Sequence, residues 1–214
     1  METITVVMLS GGVDSVGALY RVLKETNNSV VAHHVNFINS EKRYEAESIA
    51  CSSIVSYLKK NVRDFEYNES TFIFPMKRHI GWDIITAMYI GGLVTKNYYK
   101  DDNIIELCIG DTKDDFGAYK WKSPIAQSIG LLSALEDPRK VRQNVPKIIQ
   151  PVVDMTKEEI INYIPSDLFS LTWSCRVPQR IEMDTTTTFT TCGHCITCID
   201  LKNINKYEEK TIKL

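Results

Sequence analysis

No apolar run of about 18 residues, the length a bilayer-spanning helix needs, occurs in this sequence. Its opening residues, METIT, do not make a basic head followed by a long apolar stretch. A membrane span and a secretory leader are therefore not expected, and the chain reads as cytoplasmic. Charge of one sign is also lacking, because 25 basic and 27 acidic residues leave a net charge of -2. No global field draws in a polyanion, so nucleic acid is not an expected partner. The Gly-Lys-Ser/Thr of a Walker A loop and the Gly-x-Gly-x-x-Gly of a dinucleotide fold are both missing. Internal repeats are missing too, and the threonine run at 185–188 is too short to count as low complexity.

What is present is an ordinary globular composition: 214 residues, 43% hydrophobic and 24% charged, enough for one good core and a small appendage. Short β-branched or apolar runs at 3–9, 29–37, 62–67, 103–110 and 147–153 are candidate strands. Amphipathic patterns at 15–26, 42–60, 81–97 and 123–135 are candidate helices between them. Strands alternating with helices of this length predict a doubly wound α/β domain around a parallel five-stranded sheet. At 155–164, Thr156 followed three residues later by Glu159 has the form of a capping box, and Pro165 closes that helix. Beyond it the texture changes to cysteines, threonines and a lysine-rich amphipathic segment at 199–210. The expected division is residues 1–165 for the α/β domain and 166–214 for a metal-binding extension.

The turn after the first strand reads LSGGVDS, residues 9–15. In a parallel sheet, ligands bind beyond the carboxyl ends of the strands, and this loop lies there. Gly11 and Gly12 permit positive φ and close backbone approach, and the amides of the following helix start present its positive end. From ordinary residue usage, Ser-Gly-Gly-x-Asp-Ser should arise by chance in roughly a few chains per ten thousand of this length. A glycine turn with a serine cap is the plain alternative.

Four of the six cysteines follow the pattern Cys175-x16-Cys192-x2-Cys195-x2-Cys198. Overlapping C-x-x-C pairs make thiolates converge, and a fourth from a separate segment completes a tetrahedral, closed shell. A structural zinc is expected, with an iron–sulfur cluster as the competing occupant. His194, inside the knuckle, is read as a solvated loop residue. Cys51 and Cys108 are read as small buried apolar residues, His33 and His34 as structural residues facing opposite sides of their strand, and Trp82 and Trp173 as core.

The loop LSGGVDS resembles the pyrophosphate loop of the N-type ATP pyrophosphatases, the PP-loop superfamily, whose fold is adenine nucleotide alpha hydrolase-like. That resemblance implies that Leu9, Ser10, Gly11, Gly12, Val13, Asp14 and Ser15 form the ATP site. Ser10, Gly11, Gly12 and Ser15 would grip pyrophosphate while Asp14 helps hold Mg²⁺, a hard cation suited to carboxylate and phosphate oxygens. The ending TWSC…CGHCITC, with QPVVDMTKEEI and CIGDTKDDFGAY, resembles the 7-cyano-7-deazaguanine synthase family over nearly the whole chain. The resemblance implies adenylation of the carboxylate of 7-carboxy-7-deazaguanine, displacement of AMP by ammonia to give the amide, and a second activation to give the nitrile. A variant stopping at the amide, or a related PP-loop enzyme with another substrate, such as a tRNA-thiolating one, is the alternative.

By the same resemblance Ser10, Asp14, Ser15 and Lys113 would be catalytic, with Lys42 and Arg43 also candidates to offset the repulsion between two anions. Asp111, Asp114 and Asp115 follow the fourth strand, and Asp114 or Asp115 would hold a purine-like N–H edge, since a carboxylate accepts two donors in parallel. Phe116 or Tyr119 would stack on the base. Pro75, Arg78 and His79 fill a Pro-x-Arg-Asn element of the family, with histidine in place of asparagine, and Arg78 and Arg43 would contact substrate. Where the family continues Asp-Tyr-Ser-Gly-Tyr-Pro-Asp-Cys-Arg, this chain has DDFGAYKWK, so residues 110–122 govern which acid is taken. Family members commonly pair, which implies a homodimer, with the segment 199–210 as its candidate contact.

Overall fold

Six residues of unbroken β-branched and apolar character, TITVVM, form β1 (Thr3–Met8), and five of them are buried, as a central strand with both faces covered requires. The computed structural model describes residues 2–74, 83–100, 102–116, 127, 128, 130–132, 134, 145–183 and 185–214. Around β1 lie β2 (Ser29–Ile38), β3 (Glu66–Ile73), β4 (Ile104–Cys108) and β5 (Lys147–Ile149), in the order β3-β2-β1-β4-β5 with every pair parallel. The expected five-stranded, doubly wound α/β sheet is what forms.

Helices α1 (Val13–Glu25) and α2 (Tyr44–Asn61) cover one face and α3 (Asp83–Lys96) the other. Alternation along the strands assigns the two cores: Val7, Ala32 and Cys108 point to the first, and Val6, Val31 and Leu107 to the second. Of the helix expected at 123–135, residues 127, 128, 130–132 and 134 are described and are helical. Residues 81 and 82, where α3 was expected to open, lie outside the described residues, and so does Trp82.

Two strand expectations need correction. The third strand is not 62–67 but Glu66–Ile73, a largely polar run in which exposed and half-buried positions roughly alternate. It is a sheet edge, pairing only with β2, so it lacks the unbroken apolar run of a central strand. The fifth strand stops at Ile149 because Pro151 offers no amide to the ladder and the chain turns there, Val153 N–H donating to Gln150 O at 3.2 Å.

After β5, α4 (Lys157–Tyr163) begins at the expected capping box: Glu159 N–H donates to Thr156 Oγ1 at 3.2 Å, and Thr156 N–H to Glu159 Oε2 at 2.7 Å. α5 (Ser166–Leu171) follows Pro165. The tail then departs from expectation. The threonine run, where no strand is expected from the sequence, forms β7 (Thr186–Thr190), paired between β6 (Gln179–Met183) and β8 (Thr211–Lys213) in an antiparallel sheet. Threonine is β-branched, and Phe189 in the run is fully buried. The lysine-rich segment 199–210 is not one regular element: α6 (Ile196–Asn203) ends within it, Asn205 takes a positive φ of 54°, and the chain leads into β8.

The extension shares the core of the main domain. Phe169, Trp173, Cys175, Phe189, Cys198 and Leu201 belong to the same buried cluster as the residues of α1 and α2. No helix among the described residues is long and apolar enough to cross a membrane.

Candidate functional site

The loop between β1 and α1 turns on Gly11, whose φ of +80° lies in the region L side chains avoid. A Cβ there would also lie 3.3 Å from Cys51 Sγ and 3.4 Å from Glu47 O. Ser10 and Ser15 brace the turn: their hydroxyls are 3.0 Å apart, Ser15 Oγ accepts from Ser10 N–H at 3.1 Å and donates to Gly12 O at 3.1 Å. The neighbouring strand comes close at Gly110, where a Cβ would fall 2.6 Å from Ser15 N. Only a glycine lets the end of β4 approach the start of α1 this closely.

Beyond the carboxyl ends of β1, β2 and β4 opens a cleft of about 670 Å³, within the range of small-molecule sites. Leu9, Ser10, Gly12, Asp14 and Ser15 line it, as do Lys157 from α4 and Trp173, Ser174 and Arg176 from the extension. Asp14 stands in the first turn of α1, 3.4 Å from Lys157 Nζ through its Oδ2, while its Oδ1 is buried with no partner among the described residues. Burial pushes its carboxyl up to about 6, against the pull of the Lys157 ammonium. For Lys157 the balance is reversed: burial opposes its charge, and Asp14 and Asp115 outweigh that and raise its pKa.

Other polar atoms in the cleft are also unpaired among the described residues: His33 Nδ1, His34 Nε2, Asp83 Oδ1 and Trp173 Nε1. Leaving such groups buried and unsatisfied costs about 1–3 kcal/mol each, so their convergence marks a place that a polar ligand completes. His33 and His34 face opposite cores as expected, yet both reach the cleft. His34 Nδ1 donates to Leu9 O at 2.8 Å and His33 Nε2 bonds Ser70 Oγ at 2.9 Å. Burial holds both pKa values below the usual histidine range, and His34 Nε2 has no hydrogen-bond partner among the described residues. Cys51 and Cys108 are buried, and burial raises both thiols.

The expected substrate residues fare differently. Arg43 lines the cleft, but Glu41 at 2.8 Å, Glu47 at 3.1 Å and Asp83 already surround its guanidinium. Burial pushes Glu47 up to about 7 despite Arg43. Asp111 and Asp115 line the cleft as well. Asp111 Oδ2 accepts from Gln150 Nε2 at 2.7 Å and from Gln127, and Asp115 Oδ2 accepts from Thr112 N–H and Oγ1 at 2.8 Å each. Asp114 instead accepts the Lys157 amide at 2.8 Å and is exposed, while Lys42 and Lys113 are exposed and do not line the cleft. Phe116 closes a short 3-10 turn, Asp114–Phe116. Its side chain, with Pro75, Arg78, His79 and Tyr119, lies outside the described residues. Lys157 and Ser174 were missed by sequence reasoning, although their neighbours Thr156 and Cys175 were the signals noticed.

The four cysteines do converge: the sulfurs of Cys175, Cys192, Cys195 and Cys198 all lie within 4.8 Å of one another. Backbone amides point at them, Cys192 N–H to Cys175 Sγ at 3.3 Å and Cys195 N–H to Cys192 Sγ at 3.3 Å, the pattern that stabilises thiolates. Burial works against the Cys195 thiolate, but backbone amides of Arg176 and Cys198 point at its sulfur and help to lower that thiol's pKa. His194 is exposed and turns Nδ1 to Cys192 O at 2.8 Å, away from the sulfurs. The metal site adjoins the cleft, for Ser174 and Arg176 flank Cys175, Thr197 lies between Cys195 and Cys198, and all three line it.

Fold and site together define a doubly wound α/β domain with a serine–glycine loop at its ligand-binding end and a four-cysteine site fit for a metal ion. No family model and no curated protein matches the chain. Among solved structures, it is similar to the U34-tRNA thiolase NcsA from Methanococcus maripaludis with its [4Fe-4S] cluster, at 19% identity and a TM-score of 0.48. The match covers 81% of this chain and 58% of that one.

Proposed function

We propose that the chain is an ATP-dependent adenylating enzyme of the PP-loop type. Ser10, Gly11, Gly12 and Ser15, with Leu9 and Val13 shaping the loop, grip the β and γ phosphates, and Asp14 holds Mg²⁺ together with phosphate oxygens. The observation that carries this reading is Asp14: at the head of α1 one carboxylate oxygen meets Lys157 and the other is buried in the cleft with no partner among the described residues, an acceptor that a hard cation can use. An acceptor oxygen attacks the α phosphorus, the bond to the β-phosphate bridging oxygen breaks, and pyrophosphate leaves stabilised by amides, Lys157 and Mg²⁺. Lys157 takes the role expected of Lys113, because among the described residues Lys157 lines the cleft and Lys113 does not.

The acceptor in this reading is the carboxylate of 7-carboxy-7-deazaguanine. Ammonia displaces AMP to give the amide, and a second ATP activates the amide oxygen, which departs on AMP as the nitrile forms. Asp111 and Asp115, which line the cleft beyond the end of β4, orient the base edge. Arg43 is a positioning residue here, since three carboxylates occupy it. The motif resemblance over nearly the whole chain supports this substrate.

The four thiolates hold Zn²⁺ in this reading. Sulfurs around one tetrahedral zinc stand about 3.8 Å apart, whereas those on the corners of a [4Fe–4S] cube spread to roughly 6 Å. The separations here, all within 4.8 Å, support the single ion. Bound zinc supplies a closed cross-link that ties Cys175 to the 192–198 knuckle.

A second reading, thiolation of tRNA, has one observation in its favour: the cysteine site adjoins the cleft rather than standing apart from it. One assay separates the two. Purified protein with ATP, Mg²⁺, ammonia and 7-carboxy-7-deazaguanine should release pyrophosphate and give amide or nitrile by mass. No ATP consumption with that acid, but a thiolated nucleoside from tRNA with a sulfur donor, would replace the first reading by the second. The absence of iron–sulfur visible absorption, with one zinc per chain, checks the metal.

A further inference from the structure

The segment between α5 and β6 has no ladder or helix of its own at residues 172–178, yet it is tied down on two sides. Toward the loop, Trp173 N–H donates to Gly11 O at 2.8 Å, and Ser174 Oγ accepts Val13 N–H at 3.4 Å. Toward the knuckle, Cys175 joins the thiol cluster, Arg176 N–H donates to Cys195 Sγ at 3.5 Å, and the Thr197 hydroxyl donates to Ser174 O. Arg176 continues the strap across the cleft to Asp83 Oδ2 at 2.9 Å.

We infer that the strap of residues 173–176 makes the cysteine metal site a setter of the phosphate loop, so that metal occupancy and pyrophosphate binding are energetically coupled. The inference rests on the reading of residues 9–15 as a pyrophosphate loop. A trans peptide points its C=O and N–H in opposite directions. Pinning Gly11 O on the strap therefore turns Gly12 N–H to the other side, toward Ser10 Oγ, to which it donates at 3.4 Å; Gly12 and Ser10 both line the cleft. Gly11 is the loop residue with positive φ, the torsion most able to relax if the strap lets go. Fixing the strap through Cys175 spares the ligand the cost of ordering that peptide, and linkage makes the effect reciprocal: what metal does for pyrophosphate, pyrophosphate does for metal.

The test uses the intact, zinc-loaded chain. Zinc retention is titrated against a chromophoric chelator with and without Mg²⁺–pyrophosphate, and pyrophosphate affinity is measured by calorimetry at verified zinc content. Pyrophosphate should tighten zinc retention at least about fivefold; direct capture of zinc by pyrophosphate works in the opposite direction. Ser174→Ala should weaken pyrophosphate about fivefold with its zinc content unchanged, and Ser174→Thr, which keeps the hydroxyl, should restore it. Equal zinc retention with and without pyrophosphate, in wild-type protein that binds pyrophosphate, overturns the coupling. No pyrophosphate binding by the zinc-loaded wild type overturns the phosphate reading, and the coupling with it.

Discussion

Replacing Asp14 by asparagine should stabilise the ligand-free protein while removing its activity. In the fold the carboxyl is raised from its ordinary 3.8 to about 6, and each unit corresponds to about 1.4 kcal/mol, so the charged form costs about 3 kcal/mol at neutral pH. The side chain is 29% exposed, and solvent screening reduces this to about 1–3 kcal/mol. The sign follows from which state holds the proton longer. Well below its ordinary value of 3.8 the group is protonated folded and unfolded alike, and the substitution changes little. As pH rises, the unfolded chain releases its proton first, so wild-type stability falls and levels off above pH 6. Asparagine mimics the protonated form and escapes the loss. For a chain of this length the gain amounts to about 3–9 °C in melting temperature. Differential scanning calorimetry at pH 4 and pH 7.5, without nucleotide or Mg²⁺, measures it, with pyrophosphate release as the paired assay. A variant no more stable than wild type at pH 7.5, or equally stabilised at both pH values, would refute the account of Asp14 as a buried carboxylate awaiting a cation.

Lys157→Met keeps the aliphatic stem but removes the ammonium 3.4 Å from Asp14; kcat/KM for pyrophosphate release should fall about 10- to 100-fold, and unchanged kinetics would return the role to another cation. Gly110→Ala puts a methyl 2.6 Å from Ser15 N, so stability should drop by about 1–3 kcal/mol and nucleotide binding should weaken as α1 is displaced; chemical denaturation and calorimetry report both. Thr156→Ala breaks the capping box of α4, with an expected loss of about 1 kcal/mol, read as a fall of about 2–4 °C in melting temperature. Because α4 carries Lys157 into the cleft, that variant should also raise KM for ATP, and a drop in melting temperature with unchanged KM would separate cap from site.

Groups only a few residues apart were legible without tertiary structure. Ser10 to Ser15, the 192–198 knuckle and the Thr156–Glu159 cap each close on themselves through local backbone geometry, so spacing alone identifies them. The central strands were legible too, because burial on both faces demands an unbroken apolar run. The edge strand at 66–73 was not, since none of its positions is fully buried and a run of four polar residues fits there, and the threonine strand at 186–190 hides an inward Phe189 among hydroxyls.

What residue order by itself determined is the set of parts: a glycine turn with hydroxyls and a carboxylate, four convergent thiols, and alternating strands and helices. Which parts meet was decided by the winding of the chain. Lys157 reaches Asp14, Trp173 and Ser174 clasp Gly11 and Val13, and Arg43 is claimed by Asp83, all across long sequence separations. Such contacts follow from sheet order and from where the tail docks, which no local pattern encodes. The same winding left Asp14 Oδ1 and His34 Nε2 buried and without a partner among the described residues at the mouth of the sheet, where burial makes an unsatisfied polar atom costly and a ligand that satisfies it tightly held.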